Sequence, residues 1–572
     1  MAAAAGNRPR QPGRHRPAQR RHAGLAPSLF TIHNIGASMS TPHSDAAVYL
    51  KSGVKLEPLF HRWYAWSHLV SPVQQAINLA FRQIPLMRSF VANPGVHIAA
   101  SKNPQMLGGP FLELAASDLP AVRRLLQDTL RDAEPLLRFA EDLQKLNRQL
   151  QQTASGHSLD AVYAELPPTL AGLVEVSYDL NHHPGIRVLD QLLSYPAAAN
   201  EDKQSLAFGT ERDEQRHFFL NTPRLDGDAR LVLPLPFADP NHEALAASRI
   251  RAVPYAELKQ ALKVPAEQEA RFRGFFDAEP PRRDQPDYHG GDVRIRYFGH
   301  ACVLLQTAST SVLIDPFVTW DRDGETQRLT FDDLPDHIDY VFITHNHQDH
   351  FSPELLLQLR GRIGRILVPR HNSRSLADPS MKLTLRALGF RNVSELEPME
   401  SVRFDDGEIV SLPFYGEHAD LDIESKHGMF LRLKNRSFLF LADSDCKDRA
   451  LYRRIVERLG KADTLFIGME CDGAPLSWLY GPYTGSPLSR RDDESRTLSG
   501  SDCEHAWSIV EEFDCRKIFI YAMGQEPWMR FVTGLEYSAD SKQIVESNKL
   551  LERCRAAGLS AERLYGCSSF TC

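Results

Sequence analysis

The chain has 572 residues, a formal net charge of −7, 42% hydrophobic residues and 24% charged residues, and this length predicts two or three domains. No run of eighteen apolar residues occurs, so no membrane span is expected, and the negative balance argues against nonspecific nucleic-acid binding. Eight cysteines without a CxxC pair are typical of free thiols in a reducing cytoplasm and argue against an iron-sulfur cluster.

The first 44 residues form a basic segment without acidic side chains. Six arginines stand among Pro, Ala and Gly, a composition that cannot bury a core. We therefore expect residues 1–44 to be a disordered leader, with Met39 as the start of the working protein. Pro12 and Pro17 argue against an amphipathic targeting helix.

Residues 45–287 have a mixed, helix-rich pattern. Apolar residues at three-and-four spacing over 119–152 predict two helices with a break near Pro135. The run ARLVLPLPF at 229–237 predicts a strand. We find no catalytic motif in this region and assign it as an N-terminal α/β domain.

A Pro-, Arg- and Asp-rich linker, EPPRRDQPDYHGGD at 279–292, marks a domain boundary. Residues 288–572 have a different pattern of apolar and polar residues. Strands are predicted for VRIRYFG, ACVLLQT, SVLIDPF, IDYVFITH, TLFIGME and KIFIYAMG, with a hairpin in GMFLRLKNRSFLFLADSD. Helices are predicted for SPELLLQLRG, DRALYRRIVERLG and SDCEHAWSIVEEF. This order predicts two packed sheets with helices outside, in the α/β class.

The segment THNHQDHF at 344–351 follows an apolar run and concentrates metal ligands. A tight loop can direct His345 and His347 at one metal while Asp349 and His350 face a second. Because HxHxDH after a buried strand is far more specific than a single HxH, the spacing indicates a dinuclear metal site.

Four motifs in this order, GHACVLLQ, LIDPF, THNHQDH and FLADSD, resemble the metallo-beta-lactamase fold over about residues 292–535. The resemblance implies an αββα sandwich and an aspartate that bridges both metals. Asp443 in SFLFLAD matches that aspartate. One carboxylate can offer an oxygen to each cation and so relieve their repulsion.

The next ligand position distinguishes the possible chemistries. Hydrolases of this superfamily usually place a histidine there, whereas this chain has Glu417 and His418 in FYGEHAD. Since adjacent strand residues face opposite ways, only one is expected to reach the metal, and we favour Glu417. The strand expected to supply a last histidine, KIFIYAMGQ, contains none, and His505 lies in a predicted helix. The second metal would therefore keep open positions.

Three carboxylates, few imidazoles and open positions suit iron better than zinc. With Glu417 in place and a large N-terminal domain, the chain resembles, from about Ser40 onwards, the dinuclear-iron beta-hydroxylases of chloramphenicol biosynthesis. These are monooxygenases that hydroxylate an amino acid held as a thioester on a nonribosomal peptide synthetase carrier domain. The resemblance implies a homodimer and two Fe ions, bridged by Asp443 and an oxo or hydroxo group. It assigns His345, His347, Glu417 and Asp443 to one iron and Asp349, His350 and Asp443 to the other.

Catalysis would then depend on Glu417 and Asp443, with O2 and external electrons as cosubstrates. No flavin-binding glycine loop and no cysteine cluster is seen, so a separate reductase or ferredoxin is implied. The carrier's phosphopantetheine arm and acidic surface would need recognition, for which we consider a basic stretch and several aromatic residues: Arg360, Arg362, Arg365, Arg370, Arg374, Trp478, Tyr480, Tyr483 and Trp528. For the arginines we favour an ordinary solvated surface, and ordinary packing explains the aromatic residues equally well.

His300 and Asp315 stand at the ends of predicted strands. Asp315 either orients a ligating imidazole or has a structural role in its turn. The main alternative function is a dizinc hydrolase of a lactone, phosphodiester or thioester, with His418 instead of Glu417 at the metal and perhaps His505 as the last ligand. A scaffold with a vestigial metal site is a further alternative. The residues do not identify the amino acid that is hydroxylated.

Overall fold

The computed structural model describes residues 46–193, 200–227 and 230–572. The predicted disordered leader lies outside these described residues. Among them, no helix combines the length and the apolar character that crossing a membrane requires.

Two seven-stranded sheets form the C-terminal part. The first has the order β15, β14, β13, β12, β11, β10, β23 and the second β16, β17, β18, β19, β20, β21, β22. The strands of the first are β10 Arg294–Gly299, β11 Cys302–Gln306, β12 Ser311–Ile314, β13 Ile338–Phe342, β14 Ile363–Pro369, β15 Val393–Leu396 and β23 Ser568–Thr571. Those of the second are β16 Ser401–Phe404, β17 Gly407–Leu412, β18 Gly428–Leu433, β19 Arg436–Phe440, β20 Thr464–Ile467, β21 Lys517–Ile520 and β22 Ser560–Arg563.

One hydrophobic core lies between these sheets and another on the outer face of the second. Side chains such as Ile295, Phe342 and Phe440 fill the space between the sheets. Helices with an apolar stripe cover the outer face, where Tyr452 and Phe513 are buried. The helices of the C-terminal part as a whole are α11 Pro353–Leu359, α12 Met381–Ala387, α13 Arg449–Leu459, α14 Leu476–Tyr480, α15 Arg490–Ser495, α16 Cys503–Phe513, α17 Arg530–Thr533 and α18 Lys542–Ala556. The predicted αββα sandwich is confirmed.

The N-terminal part is built from short strands and helices. Its strands are β1 Ala47–Leu50, β2 Lys55–Phe60, β3 Trp63–Tyr64, β4 Val174–Tyr178, β5 Pro184–Val188, β6 Gln204–Gly209, β7 Arg230–Pro234, β8 Val253–Pro254 and β9 Phe276–Asp277. Its helices are α1 Ser67–Val70, α2 Pro72–Asn78, α3 Ile84–Ala92, α4 Pro94–Ser101, α5 Leu119–Asp132, α6 Glu134–Thr153, α7 Asp160–Ala164, α8 Asn241–Ala247, α9 Tyr255–Ala261 and α10 Glu269–Arg273. The predicted break near Pro135 is confirmed, since α5 and α6 meet at Ala133.

The N-terminal part packs against the outer face of the first sheet. Phe60 and Trp66 belong to the same buried cluster as Leu304, Leu313 and Val341 of the sheet. The two parts therefore share one core, and a boundary between residues 287 and 288 stays a prediction.

A buried ion network also joins the two parts. Arg216 donates to Glu57 and to Glu354, each at 2.6 Å, and Glu354 accepts from the Tyr64 hydroxyl at 2.7 Å. Glu354 lies in the first turn of α11, directly after the metal loop. Because removal of one partner would leave a buried charge unpaired, this network fixes the start of α11.

Two arginines of the basic stretch after the metal loop are not part of a free surface patch. Arg360 and Arg362 are each only 7% exposed, and they donate to backbone carbonyls, including those of Phe237 at 3.0 Å and Pro335 at 2.6 Å. These two arginines are therefore not available to steer a carrier domain.

Candidate metal centre

The carboxyl-terminal ends of several strands meet at one edge, and the buried histidines and acids lie there. β13 ends at Phe342 and leads into the loop with His345, His347 and His350, all of which are buried. The ligand-type atoms form three overlapping groups, each within 4.8 Å: His345, His347 and Glu417; His345, His350 and Asp443; His300, Asp349 and His350. The structure thus brings all six predicted ligands together.

Asp315 follows β12 and orients two of the histidine rings. Its carboxylate accepts from the N–H and the hydroxyl of Thr344, each at 2.7 Å, and from Nδ1 of His350 at 2.8 Å. Since Nδ1 donates, Nε2 of His350 keeps the lone pair that a metal needs. The Thr344 hydroxyl also lies 3.0 Å from Nδ1 of His345. Because this hydroxyl donates to Asp315, it accepts from Nδ1 of His345, and Nε2 of His345 also keeps its lone pair. Asp315 therefore has the orienting role that was one of its two predicted alternatives.

Asp443 faces both of these rings. Its Oδ2 lies 2.9 Å from Nε2 of His350 and 3.7 Å from Nε2 of His345. Both Nε2 atoms and Oδ1 of Asp443 are buried without a hydrogen-bond partner in the described part of the chain. Unpaired buried polar atoms that converge on one point fit a bound cation.

His347 faces the cluster with its Nδ1 atom, whereas His345 and His350 face it with Nε2. Its Nδ1 lies 2.6 Å from Oε1 of Glu417, while its Nε2 lies 3.0 Å from the Tyr480 hydroxyl. The Tyr480 hydroxyl is also 2.8 Å from Nδ1 of His418. Tyr480 can therefore accept from His347 and donate to His418, which directs Nδ1 of His347 towards the cluster. This contact gives Tyr480 a specific role beyond packing.

The expectation that Glu417 and His418 alternate across a strand is wrong. Both lie in the loop between β17 and β18, where Gly416 and Glu417 have φ of 88° and 69°, so the two side chains do not alternate. Both are buried, and the ring of His418 lies 4.4 Å from that of His347. Glu417 shares a ligand group and His418 does not, but the choice between them stays a prediction.

His300 supports the cluster from β10. Its Nδ1 accepts from the N–H of Gly524 at 3.1 Å, so the neutral ring carries its proton on Nε2. That Nε2 lies 3.2 Å from Oδ2 of Asp349. With this tautomer the Nε2–H of His300 faces the carboxylate of Asp349, and both residues share a group of ligand-type atoms with His350.

His505 lies in α16 and away from the cluster. Its Nδ1 is 2.6 Å from Oδ1 of Asp445, and its side chain is 43% exposed. The alternative in which His505 completes the second metal site therefore has no support in the geometry.

Neighbouring carboxylates raise two pKa values in the cluster, and for Glu417 burial is the larger cause. Burial, followed by the carboxylates of Asp443 and Asp349, holds the pKa of Glu417 well above its usual range. Burial lowers the pKa of His350, but Asp443, Asp315 and Asp349 outweigh it and hold that pKa well above its ordinary value. Divalent cations placed among these oxygens would replace the protons.

The backbone is strained around the cluster. His300, Asp315, Glu417, Ala442 and Ala522 all have positive φ, between 40° and 69°, a conformation that costs about 1–3 kcal/mol where it is not favoured by the side chain. Each stands at or near a strand end on the metal-binding edge. Such strain persists only where the surroundings fix it, as at functional sites.

A cavity of about 260 Å³ opens beside the cluster. Its walls include His347, Asp349, Glu417, Glu470, Trp478 and Leu107. The N-terminal part therefore contributes to the cavity that faces the metal ligands.

Glu470 is a site residue that the sequence analysis missed. It follows β20, which runs parallel to β19, the strand that leads to Asp443. The rule that parallel strands end at one edge would have found it. Burial, followed by the charges of Glu417 and Asp443, raises the pKa of Glu470 well above its usual range.

The donors fit a pair of divalent transition metals. Burial holds the pKa of His345 well below its ordinary value and lowers that of His347 to about 4, so both rings are neutral and can ligate. Three carboxylates oppose the charge of two cations, a mixture of imidazole and carboxylate that suits iron.

Two parts of the chain match known families. Residues 49–280 match the diiron non-heme beta-hydroxylase N-terminal domain, and residues 310–474 match the beta-lactamase superfamily domain. The first match covers the region in which the sequence analysis found no motif.

The similarity to individual proteins extends over both parts. The 4-amino-L-phenylalanyl-[CmlP-peptidyl-carrier-protein] 3-hydroxylase of Streptomyces venezuelae is 36% identical over 522 residues, 90% of this chain and 98% of that protein. The crystal structure of CmlA, a diiron beta-hydroxylase from Streptomyces venezuelae, has a TM-score of 0.86 at 35% identity and covers 92% of this chain and 100% of that one. A metal-dependent hydrolase of Ligilactobacillus salivarius is 26% identical over only 27% of this chain and 62% of its own length. The hydrolase alternative is not favoured.

Proposed function

The chain belongs to the family of diiron non-heme beta-hydroxylases, and from that premise we propose that it hydroxylates the beta-carbon of a carrier-bound aromatic amino acid. The amino acid is held as a thioester on a nonribosomal peptide synthetase carrier domain, in antibiotic biosynthesis of the chloramphenicol type. The first substrate to test is 4-amino-L-phenylalanine, which the Streptomyces venezuelae relative uses in carrier-bound form.

The observation that carries this proposal is the buried group of His345, His347 and Glu417. In this proposal the Glu417 carboxylate takes the ligand position where hydrolases of the same fold usually have a histidine. A third carboxylate ligand favours iron, because an iron pair needs more negative charge from its ligands as it is oxidised.

In this proposal Asp443 is shared by the two irons. Its Oδ2 faces Nε2 of both His345 and His350, and a shared anion relieves the repulsion between two cations. One iron would be held by His345, His347, Glu417 and Asp443, and the other by Asp349, His350 and Asp443.

The protein's own groups hold the site and the substrate. Asp315 fixes the tautomer of His350, and His300 holds the carboxylate of Asp349. The beta-carbon of the substrate lies in the cavity beside the cluster, which Glu470 also lines. When bound, the two irons supply the redox chemistry that activates dioxygen for insertion into a C–H bond.

Three partners follow from the chemistry. The carrier domain presents the substrate on its phosphopantetheine arm. One oxygen atom enters the C–H bond and the other becomes water, which consumes two external electrons, so a cytoplasmic reductase or ferredoxin is the electron donor. We also propose a homodimer, as the family resemblance implies.

Mass spectrometry of a loaded carrier tests the reaction class. The chemically reduced protein is incubated with a carrier domain bearing 4-amino-L-phenylalanine under ¹⁸O-labelled dioxygen. A gain of one labelled oxygen atom on the amino acid, with no label from water, is expected. Release of the amino acid from the carrier without oxygen incorporation would instead indicate a hydrolase.

A further inference from the structure

A second cavity shares a wall with the cavity beside the metal cluster. Its volume is about 520 Å³, twice that of the first, and Pro475 and Trp478 line both. The indole N–H of Trp478 donates to the carbonyl of Gly108 at 2.9 Å. This bond fixes the Trp478 ring in the wall between the two cavities.

The second cavity extends from the protein surface to that wall. Pro85, Ser89 and Ser477 line it and are exposed, whereas Leu86 and Asn221 line it and are buried. A ligand that enters between the exposed residues therefore approaches the metal-site cavity at Trp478.

An irregular helical turn brings a cation into this passage. The turn at Leu79–Gln83 is π-helical, a geometry that is frequent at functional sites, and Phe81 and Arg82 within it line the cavity. Nη2 of Arg82 donates to the carbonyls of Trp478 and Leu479 at 3.0 and 2.9 Å.

Arg82 has donor capacity left over. Its Nε is buried and has no hydrogen-bond partner within the described residues. Nη1 makes only one long contact, 3.5 Å to Oδ1 of Asn221, so one of its N–H groups is also available. Because Arg82 lines the cavity, a ligand carbonyl there can accept from the available N–H of its Nη1 group.

We infer that this second cavity, named here the arm cavity, binds the pantetheinyl arm of the carrier domain. The inference rests on the proposed function, because a tethered aminoacyl group must reach the cluster through a passage that the folded carrier cannot enter. The arm is a long, uncharged chain with two amide groups and a branched apolar segment. Arg82 donates to an amide carbonyl, Phe81 and Leu86 pack on the apolar segment, and Trp478 lies beside the thioester.

Two variants alter the arm cavity without changing a metal ligand. Ser89→Trp fills its exposed end, and Arg82→Met removes the unpaired donor. Arg454→Met, at an exposed position on α13, is the matched control. The visible absorbance of the iron-loaded protein reports that the metal site of each variant is intact.

Binding to two forms of the carrier tests the inference. One form bears 4-amino-L-phenylalanine joined to the arm by a stable amide, and the other lacks the arm. Both variants should raise the Kd of the loaded carrier by about tenfold or more, Arg82→Met through loss of one or two hydrogen bonds and Ser89→Trp by blocking the exposed end of the cavity, and leave the Kd of the arm-less carrier within about twofold, a change well below one hydrogen bond. An unchanged Kd for the loaded carrier, or equal weakening of both forms, would overturn the inference.

Cross-linking separates this inference from the proposed function. A diazirine on the arm should label peptides containing residues 81–89, 108–110 or 475–482. Labels confined to other peptides, with hydroxylation of the same carrier intact, overturn the arm cavity alone. Absence of hydroxylation by the wild-type protein under ¹⁸O-labelled dioxygen overturns the proposed function instead.

Discussion

The loops at 343–351 and 413–427 both bring ligands to the metal cluster, but they are held in different ways. The first loop supplies His345 and His350, whose ring nitrogens are fixed by Thr344 and Asp315. The second supplies Glu417, whose backbone has positive φ and whose carboxylate contacts His347. Ligands of the first loop are oriented by hydrogen bonds, whereas Glu417 is positioned by strained backbone. Two ligands of one centre can therefore differ in how strongly the protein enforces their geometry.

The largest effect is expected at Asp443, which serves the ligands of both loops. Asp443→Asn removes the carboxylate shared by the two metals, so both metals should be lost. Iron analysis after desalting checks this. Asp445→Asn is the control, since the Asp445 carboxylate binds His505 and Lys447 instead. Full iron content in Asp443→Asn would contradict the shared role.

The next effect separates Glu417 from His418. Glu417→Ala should lose one of the two metals because it removes an inner ligand, while His418→Ala should keep both. Metal content and visible absorbance of the two variants are compared after identical iron loading. The reverse outcome, with metal lost only from His418→Ala, would favour the hydrolase alternative.

Asp315→Asn tests the hydrogen bonds that fix the first loop. An amide can donate to His350 Nδ1 and so favour the wrong tautomer, and we expect metal affinity to fall about 10–100-fold. Titration with Fe²⁺ under anaerobic conditions measures it. Asp406→Asn, whose carboxylate accepts from Thr307 and Thr310 away from both ligand loops, is the control. An unchanged affinity would show that the tautomer is fixed by other groups.

The pH dependence of metal binding tests the raised pKa values. In the metal-free protein, neighbouring carboxylates hold the pKa of His350 and of Glu417 above their ordinary values of 6.5 and 4.5, so both groups bind protons that must leave when metal binds. Apparent affinity should therefore rise with pH, by up to about tenfold per pH unit for each proton released. The rise should extend above pH 6.5 and level off once the metal-free His350 is deprotonated. A flat profile in titrations across this range would contradict it.

The smallest effect is expected at Tyr480, which joins the two loops through His347 and His418. Tyr480→Phe removes one buried hydroxyl, and a loss of about 1 kcal/mol, or roughly fivefold in metal affinity, is expected. The same Fe²⁺ titration measures it, with exposed Tyr565→Phe as the control. Equal behaviour of the two variants would show that Tyr480 only packs.

The first loop could be predicted from the sequence because its ligands stand close together after a recognisable strand. Asp443 follows the same logic at the end of β19, as does Glu470 at the end of β20, although Glu470 was missed. The burial of both Glu417 and His418 could not be predicted from strand alternation, because the chain forms a loop there, with Gly416 at φ 88°.

The fold of residues 288–572 was predictable from alternating apolar runs, and its helices and strands are confirmed at nearly every predicted place. The N-terminal part was less accessible. Its contacts with the cluster, such as the 3.4 Å approach of His68 to Asn346, join positions hundreds of residues apart. No local pattern encodes such pairings, and only the tertiary arrangement reveals them.

The core shared between the N-terminal part and the first sheet has a practical consequence for anyone who wishes to dissect this enzyme. Phe60 and Trp66 cover Leu304, Leu313 and Val341. A fragment that begins at residue 288 would therefore expose a broad hydrophobic surface to water. Such a truncation should aggregate on expression, and transplanting the catalytic sandwich into another scaffold would require redesign of that face first.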